Sequence, residues 1–433
     1  MGLFSEQWKR IDAPGEAKTE CPTARERIEA ALNHQLVHVW PFGALGTADL
    51  VLDTGPTGAW TVHAKDGRVT FKAGRVRRPT TTVCANATTL LELLEGARSG
   101  VTAWLEGDLV MRGNIGLALK LEGLLRGPRR PVNFPRPGRA EAHGIDTFYL
   151  EAGRGDPVIL LHGLGSTMSG MLPTLDDLAH DYRVIAPDIP GFGDSSKPIR
   201  PYHAGFFAKW LIALMDELGI ERAHLVGNSM GGRIALEAAL RAPERVDRLA
   251  LLSPAVAFRK LRQFVPLIRL TRPEFALLPL VATRSTVRLV TKSLFADSAR
   301  IDASWHEAAI DEFLRVFSTA RGRIAFFSAL REIYLDTPHG PEGFWTRLEQ
   351  LSRPALFIWG DRDPLVPAQF ARHVEQAVPR ARSIVLRDCG HVPHFEHPKV
   401  THRLIREFFA QDAWPVACSK ESRAPTAGSS DRP

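Results

Sequence analysis

The strongest signal for a fold in this 433-residue chain is the hexapeptide Gly227-Asn228-Ser229-Met230-Gly231-Gly232. It follows the apolar, strand-like run 223–226 and opens the helix-like run 233–240. A serine between a strand and a helix lies on a tight turn, which lifts its hydroxyl above the edge of the sheet beside the first N–H groups of the helix. Glycine fits two residues before and after Ser229, because a side chain at either position would collide across the turn. The pattern predicts a serine nucleophile at position 229.

Two partners for this serine occur later in the chain. A serine hydroxyl needs a base that takes its proton, and the base needs a third group that fixes its tautomer. The predicted strand 354–359 leads into Asp361 and Asp363, and the predicted strand 383–386 leads into a loop with His391. Because open parallel sheets place their ligands at the carboxyl ends of their strands, we expect these groups to meet the serine at one sheet edge.

The segment from about Arg139 to Gln411 resembles the α/β-hydrolase family. The matching motifs are His162-Gly163-Leu164-Gly165, Asp188-Ile189-Pro190-Gly191-Phe192-Gly193-Asp194-Ser195, the serine hexapeptide, Trp359-Gly360-x-x-Asp363 and Gly390-His391-x-Pro393. The resemblance implies an α/β-hydrolase fold, with a mostly parallel, doubly wound sheet and a helical cap. It also implies that Ser229 is the nucleophile, His391 the general base and then acid, and Asp363, rather than Asp361, the carboxylate that orients the histidine.

The same resemblance assigns the residues around this triad. It implies that the backbone N–H groups of Met230 and Leu164 bind the oxyanion, whose stabilisation is usually the largest electrostatic contribution in acyl transfer. It makes His162 a structural residue that shapes the oxyanion loop. Cys389 is expected to be a packing thiol, since a cysteine nucleophile would occupy the serine position. His394 is expected on the helical turn that follows the base.

Composition limits the class of protein. Hydrophobic residues make up 44% and charged residues 24% of the chain, which is typical of globular domains. The four cysteines are far apart and show no C-x-x-C spacing, which argues against a disulfide framework or a zinc site. Together with a start that lacks an apolar signal core, this leads us to expect a cytoplasmic protein without metal or cofactor.

The net charge of +7 admits attraction to anionic lipid or nucleic acid. No nucleic-acid motif accompanies the charge, so we expect an arginine-rich solvated surface and no nucleic-acid partner. Transient contact with a membrane surface stays open as an alternative. No run of about twenty apolar residues is present, which argues against a membrane-spanning helix.

Composition also divides the chain, because a Pro- and Arg-rich stretch that cannot hold a helix follows residue 126. The predicted divisions are an N-terminal extension 1–23, a first domain 24–126, a linker 127–138, a hydrolase domain 139–412 with a helical cap at about 257–350, and a disordered tail 413–433. The cap segment is rich in Phe and Leu. We expect a minority of its aromatic rings to face Ser229 and form an apolar pocket.

The first domain has a different pattern. Runs 48–53, 59–64 and 68–72 alternate with period two, as in an antiparallel meander, and Lys65-Asp66-Gly67 forms the turn between the last two. With the hairpin Gly58-x-Trp60-Thr61-Val62-x-x-Lys65-Asp66-Gly67 and the segment 104–121, the domain resembles the sterol carrier protein family. That resemblance implies a small α+β domain with a five-stranded sheet under helices, enclosing an apolar tunnel for a sterol or acyl chain.

Three functions follow from these patterns. The first is a serine hydrolase that cleaves a lipid-like or other apolar carboxylic ester or thioester through an acyl-enzyme, with a lipid-binding first domain. The second is a carbon–carbon bond hydrolase or a perhydrolase that uses the same triad. The hexapeptide also resembles the serine turn of these enzymes. The third, of another class, is a lipid carrier without catalysis. In each case the partner is an apolar small molecule or lipid.

Overall fold

A computed structural model describes residues 22–36, 47–123, 131–256, 274, 276 and 282–411. Within these residues the chain forms two sheets, one of five strands and one of eight. The five-stranded sheet belongs to the predicted first domain and the eight-stranded sheet to the predicted hydrolase domain. The predicted tail after residue 412 lies outside the described residues.

The first domain is a mixed sheet with helices packed against it. Its elements are α1 (Pro22–Gln35), β1 (Ala48–Asp53), β2 (Ala59–Lys65), β3 (Arg68–Ala73), β4 (Thr81–Ala85), α2 (Ala87–Glu95), α3 (Gly100–Leu105), β5 (Leu109–Gly113) and α4 (Ile115–Gly123). The strand order is β3-β2-β1-β4-β5, in which β1 and β4 are parallel and the other neighbours are antiparallel. The predicted hairpin turn is present: Asp66 and Gly67 have φ of 50° and 75°, as a two-residue type I′ turn requires.

The second domain is a mostly parallel sheet, as predicted. Its strands are β6 (Arg136–Ala142), β7 (Ile145–Ala152), β8 (Pro157–Leu161), β9 (Arg183–Pro187), β10 (Ala223–Asn228), β11 (Val246–Leu252), β12 (Ala355–Gly360) and β13 (Arg382–Leu386). They lie in the order β13-β12-β11-β10-β8-β9-β7-β6. All pairs from β13 to β9 are parallel, and β7 and β6 are added antiparallel at one edge.

Two predicted limits differ from the observed elements. Strand β6 begins at Arg136, inside the predicted linker 127–138, because it pairs along its whole length with β7. It tolerates Pro137 because it is an edge strand, where a missing N–H costs no bond to a neighbour. Helix α1 begins at Pro22, inside the predicted extension 1–23, and proline suits the first position of a helix.

Helices join and cover these strands. They are α5 (Leu172–Leu178), α6 (Ala204–Glu217), α7 (Met230–Arg241), α8 (Arg284–Ser293), α9 (Ala303–Phe317), α10 (Ala320–Tyr334), α11 (Phe344–Leu348), α12 (Phe370–Ala377), α13 (Pro393–Glu396) and α14 (Pro398–Phe409). Strand β8 shows how both faces of the sheet are buried: Val158 and Leu160 belong to one apolar core, while Ile159 and Leu161 belong to another. Such two-sided burial is typical of parallel sheets with helices on both faces.

Helices α8 to α11 lie between β11 and β12, where the cap was predicted. Most of the predicted cap before residue 282 lies outside the described residues. Across the described ranges, every helix is too short or too polar to cross a membrane.

Candidate active site

Ser229 lies on the turn between β10 and α7, in a backbone conformation that side chains rarely adopt (φ 51°, ψ −113°). The flanking glycines make the turn sterically possible. A Cβ atom added at Gly231 would lie 2.1 Å from the carbonyl oxygen of Leu161, and one at Gly227 would lie 2.5 Å from the Gly231 backbone. The prediction that glycine is needed on both sides of the serine is therefore confirmed.

Main-chain hydrogen bonds hold this strained residue in place. The N–H of Ser229 donates to the carbonyl of Leu252 at 3.0 Å, and its carbonyl accepts from the N–H of Arg233 at 3.1 Å and of Ala255 at 2.9 Å. These partners come from β11, the residues after it and α7. The position of the hydroxyl is thus set by both neighbouring elements.

The serine hydroxyl forms a hydrogen bond with the hydroxyl of Tyr334, 3.3 Å away, at the end of cap helix α10. Burial raises the pKa of Tyr334, the hydrogen bond from Ser229 opposes that rise, and the charge of Asp363 adds to it. The phenol is therefore protonated at neutral pH. The sequence offered no signal for Tyr334, because it is brought to the serine from 105 residues away by the folding of the cap.

His391 and Asp363 form the second part of the site. The Nδ1 atom of His391 lies 2.8 Å from Oδ2 of Asp363, and both side chains are buried. The other carboxylate oxygen accepts the N–H groups of Leu365 and Val366 at 2.8 and 2.9 Å. Burial alone would raise the pKa of Asp363, but His391 and these two N–H groups lower it overall. An ionised carboxylate in this position fixes the tautomer and orientation of the imidazole.

Ser229 and His391 line one cavity of about 550 Å³. Among the described residues the serine hydroxyl bonds Tyr334 rather than His391. In enzymes such a hydroxyl–imidazole bond is often long without substrate and tightens when substrate binds. The cavity is lined mainly by apolar groups, including the cap rings Phe295, Phe313 and Phe326.

The two predicted oxyanion residues lie on either side of the serine. Met230 is the first residue of α7, where N–H groups have no acceptor within the helix. Leu164 lies in the loop after β8 and lines the cavity. Its neighbour Gly163 is so close to the serine that an added Cβ would lie 3.5 Å from the Cβ of Ser229.

The other polar residues near the triad form hydrogen bonds outside it. Both ring nitrogens of His162 bond the main chain, at 2.9 and 3.0 Å, and burial lowers its pKa to about 4. His394 lies on α13, donates to a backbone carbonyl at 2.8 Å, and has a pKa lowered by burial to about 3. Asp361 accepts the N–H of Cys389 at 3.2 Å, and burial raises the pKa of that thiol. Where the structure describes the chain, no three His, Cys, Asp or Glu side chains are grouped to hold a metal.

Comparison with known proteins agrees with this geometry. Residues 156–398 match the model of the alpha/beta hydrolase fold. The chain belongs to the α/β-hydrolase family. Residues 45–126 of this α/β hydrolase match the model of the SCP-2 sterol transfer family, so both resemblances found in the sequence are confirmed.

Curated relatives match the hydrolase part of the chain. The protein is 31% identical to the dihydrolipoyllysine-residue acetyltransferase component of the acetoin cleaving system of Cupriavidus necator, over 62% of this chain and 67% of that one. It is 30% identical to 2-hydroxymuconate semialdehyde hydrolase of Pseudomonas sp. (strain CF600), over 65% of this chain and 96% of that one.

Solved structures also match this part. A membrane phospholipase A, described as a bacterial virulence factor, matches with a TM-score of 0.55 and 28% identity, over 64% of this chain and 86% of that one. A 2-hydroxy-6-oxo-6-phenylhexa-2,4-dienoate hydrolase from Rhodococcus sp. strain RHA1 matches with a TM-score of 0.56 and 27% identity, over 64% and 99%. The α/β hydrolase is therefore related to hydrolytic enzymes, among them a semialdehyde hydrolase and a dienoate hydrolase.

Proposed function

We propose that this α/β hydrolase cleaves apolar carboxylic esters or thioesters through an acyl-enzyme on Ser229. One observation supports this most: a serine on a strained turn and a buried His391–Asp363 pair open into the same mainly apolar cavity. Taken singly, each of these side chains has structural explanations. A nucleophile, a base and an orienting carboxylate at one cavity together match the requirements of nucleophilic catalysis.

In the proposed reaction, the oxygen of Ser229 bonds to the substrate carbonyl carbon while Nε2 of His391 takes the hydroxyl proton. The carbonyl oxygen becomes an oxyanion that accepts the N–H groups of Met230 and Leu164. His391 then protonates the leaving alcohol or thiol as its bond to carbon breaks. Water repeats the sequence: His391 takes its proton, the hydroxide attacks the acyl carbon, and the proton returns to the serine as the acid leaves.

The cavity wall favours a neutral substrate. The ionisable side chains among its described lining residues are His306, His391, His394, Tyr334 and Glu312, with no arginine or lysine. Among these described residues, a substrate with its own carboxylate would meet no fixed cation and would have to be desolvated beside the carboxyl of Glu312. Because burying an unpaired charge is costly, the wall supports an apolar ester over an acidic substrate.

A second candidate is carbon–carbon bond hydrolysis with the same triad. It is favoured by the relatives that act on ring-fission products, whose names describe carboxylates such as a dienoate. The lining of the cavity is the observation against it. A carrier role without catalysis has less support, because the described residues of the first domain enclose a cavity of only about 30 Å³.

The test is turnover of two substrate classes by the full chain. We expect wild type to hydrolyse p-nitrophenyl acyl esters faster than vinylogous diketone acids, and Ser229→Ala to lose several orders of magnitude in rate. The matched control is Ser318→Ala, at an exposed serine of the cap. Wild-type rates in Ser229→Ala would refute the nucleophile assignment. Faster turnover of the diketone acids would favour the carbon–carbon reaction.

Labelling by a fluorophosphonate gives a readout that does not need the natural substrate. Wild type and Ser318→Ala are expected to be labelled, and Ser229→Ala to remain unlabelled. An unlabelled wild type would mean that Ser229 is not activated, and would point to the non-catalytic carrier.

A further inference from the structure

The first domain is joined to the hydrolase domain through a continuous apolar core. The cluster of buried residues that contains Trp60 and Trp104 of the first domain also contains Leu160 of β8. At its border, the indole of Trp104 lies 5.4 Å from that of cap residue Trp305, measured between ring centroids. The Nε1–H of Trp305 donates to the main-chain carbonyl of Trp104 at 3.2 Å.

Buried and partly buried ion pairs fix the same junction. Nε of Arg112, in β5, donates to the carboxylate of cap residue Asp311 at 2.8 Å. Lys120, in α4, is buried and forms an ion pair with Asp194 in the loop after β9. Asp194 also accepts a bond from Arg315 of the cap at 2.8 Å. One carboxylate thus links the first domain, the hydrolase core and the cap, so the three parts are held in one arrangement.

This junction places first-domain side chains on the wall of the catalytic cavity. Trp104 and Ile115 line the cavity that contains Ser229 and His391, and both are almost fully buried (3% and 1% exposed). The N–H of Ile115 donates to cap residue Glu312 at 2.7 Å, which fixes its position. Neither first-domain side chain bonds the serine or the histidine, so each is available to contact the unreactive part of a substrate.

Trp104 carries a polar group that the fold leaves unused. Its indole N–H is buried and has no hydrogen-bond partner among the residues that the structure describes. A buried donor without a partner costs free energy, and such groups in native proteins call for a ligand or a water.

The interior of the first domain offers far less room. The resemblance to sterol carrier proteins implied a tunnel there, but the described residues leave a cavity of about 30 Å³. Its wall includes Leu90, Leu93, Leu94 and Leu119, which pack on one another. Because one water needs about 10–15 Å³ of such space, the cavity has room for roughly two waters and none for a sterol or acyl chain. Within the described ranges, the apolar space large enough for a ligand lies at the junction, next to Ser229.

We propose that the first domain forms a fixed wall of the catalytic cavity, and that Trp104 and Ile115 set the size of the apolar group that the hydrolase accepts. The inference rests on the proposed ester hydrolysis, since the group it describes is the apolar part of that substrate. Trp104 and Ile115 are then specificity-determining residues supplied by a domain that carries no catalytic residue.

The test compares kcat/KM of full-length variants over p-nitrophenyl esters from acetyl to dodecanoyl. Trp104→Ala enlarges the cavity and is expected to move the preference to longer acyl groups. Ile115→Trp fills it and is expected to move the preference to shorter ones. Each shift should change the ratio of long-chain to short-chain kcat/KM by about tenfold, as one or two methylene contacts do in hydrophobic pockets. Trp104→Phe keeps an aromatic wall and should stay within about threefold of wild type.

The control is Trp60→Phe, at a buried first-domain tryptophan that does not line the cavity. It should leave the chain-length profile unchanged, which separates a wall effect from general loosening of the first domain. Unchanged profiles in both Trp104→Ala and Ile115→Trp, or shifts in the same direction, would overturn the proposal.

A binding experiment keeps this result separate from the proposed reaction. In a Ser229→Ala background, alkyl methyl ketones of increasing chain length displace a fluorescent apolar dye from the cavity. Opposite shifts of the preferred length in the Trp104→Ala and Ile115→Trp variants would support the wall even if no ester is cleaved. Equal profiles in this assay would refute the wall, whether or not esters are cleaved.

Discussion

Gly231→Ala is predicted to damage the serine turn without touching any catalytic side chain. The added methyl carbon would lie 2.1 Å from the carbonyl oxygen of Leu161, 2.5 Å from its carbonyl carbon and 2.8 Å from the carbonyl oxygen of His162. Real Cβ atoms essentially never approach other atoms within 3.0 Å. All three contacts are main-chain atoms at the end of β8, so no side chain can rotate away.

The size of the effect follows from this overlap. The start of α7 and the loop after β8 must separate by about 1 Å, and overpacking of this kind costs about 1–3 kcal/mol of stability. The same displacement moves Ser229 relative to Leu164, across the predicted oxyanion site. Since a misplacement of about 1 Å costs roughly a hundredfold in rate, we expect fluorophosphonate labelling to slow by about that factor.

The assay pairs the labelling rate with the urea midpoint for unfolding. The control is Gly219→Ala. Gly219 has φ of 64° and nothing within 4 Å of an added Cβ, so the strained backbone conformation of alanine is the only destabilising effect expected. We expect it to lose about 1–2 kcal/mol of stability and to be labelled at the wild-type rate. A Gly231→Ala variant that is labelled as fast as wild type would refute the steric account of the turn.

Three further predictions concern the buried polar groups. Asp363→Asn keeps the shape of the site but loses the charge that orients His391, so kcat should fall by about 10⁴-fold with little change in the melting temperature. Tyr334→Phe removes the hydroxyl that positions the oxygen of Ser229 for attack and should lower kcat/KM by about tenfold; an unchanged value would assign the phenol a packing role. Burial lowers the pKa of His162 to about 4 and of His394 to about 3, whereas unfolded histidines titrate near 6.5. Below about pH 6.5 the unfolded chain therefore binds more protons than the folded chain. The free energy of unfolding should decrease as the pH is lowered, by about 1.4 kcal/mol per pH unit for each histidine, until the folded pKa is reached. Equal urea midpoints at about pH 7 and 5 would contradict this.

The site could be predicted where its signals are local. The turn around Ser229 and the loops that hold Asp363 and His391 each follow a recognisable strand, and parallel pairing brings strand ends to one edge. The hairpin turn at Asp66 and Gly67 was predictable for a similar reason, because two adjacent positive φ angles leave a compositional signature.

The remaining features depend on contacts between distant segments. Tyr334 reaches the serine through the packing of the cap, and Trp104 reaches the cavity through the docking of the first domain. Neither contact has a local pattern in the sequence. The predicted linker extended too far because the prolines around Arg136 suggested an irregular chain, whereas an edge strand accommodates Pro137.

The junction carboxylates also limit how the two domains can be recombined. Asp311 forms an ion pair with Arg112 of the first domain, and Asp194 forms one with Lys120. The side chain of each carboxylate is about nine-tenths buried. A chimera that replaces the first domain with one lacking Arg112 and Lys120 would remove one counter-charge from each carboxylate and leave Asp311 with Arg284, and Asp194 with Arg315, of the cap. Since removing one partner of a buried ion pair is destabilising, a replacement domain must present its own cations to Asp311 of the cap and to Asp194 of the hydrolase core.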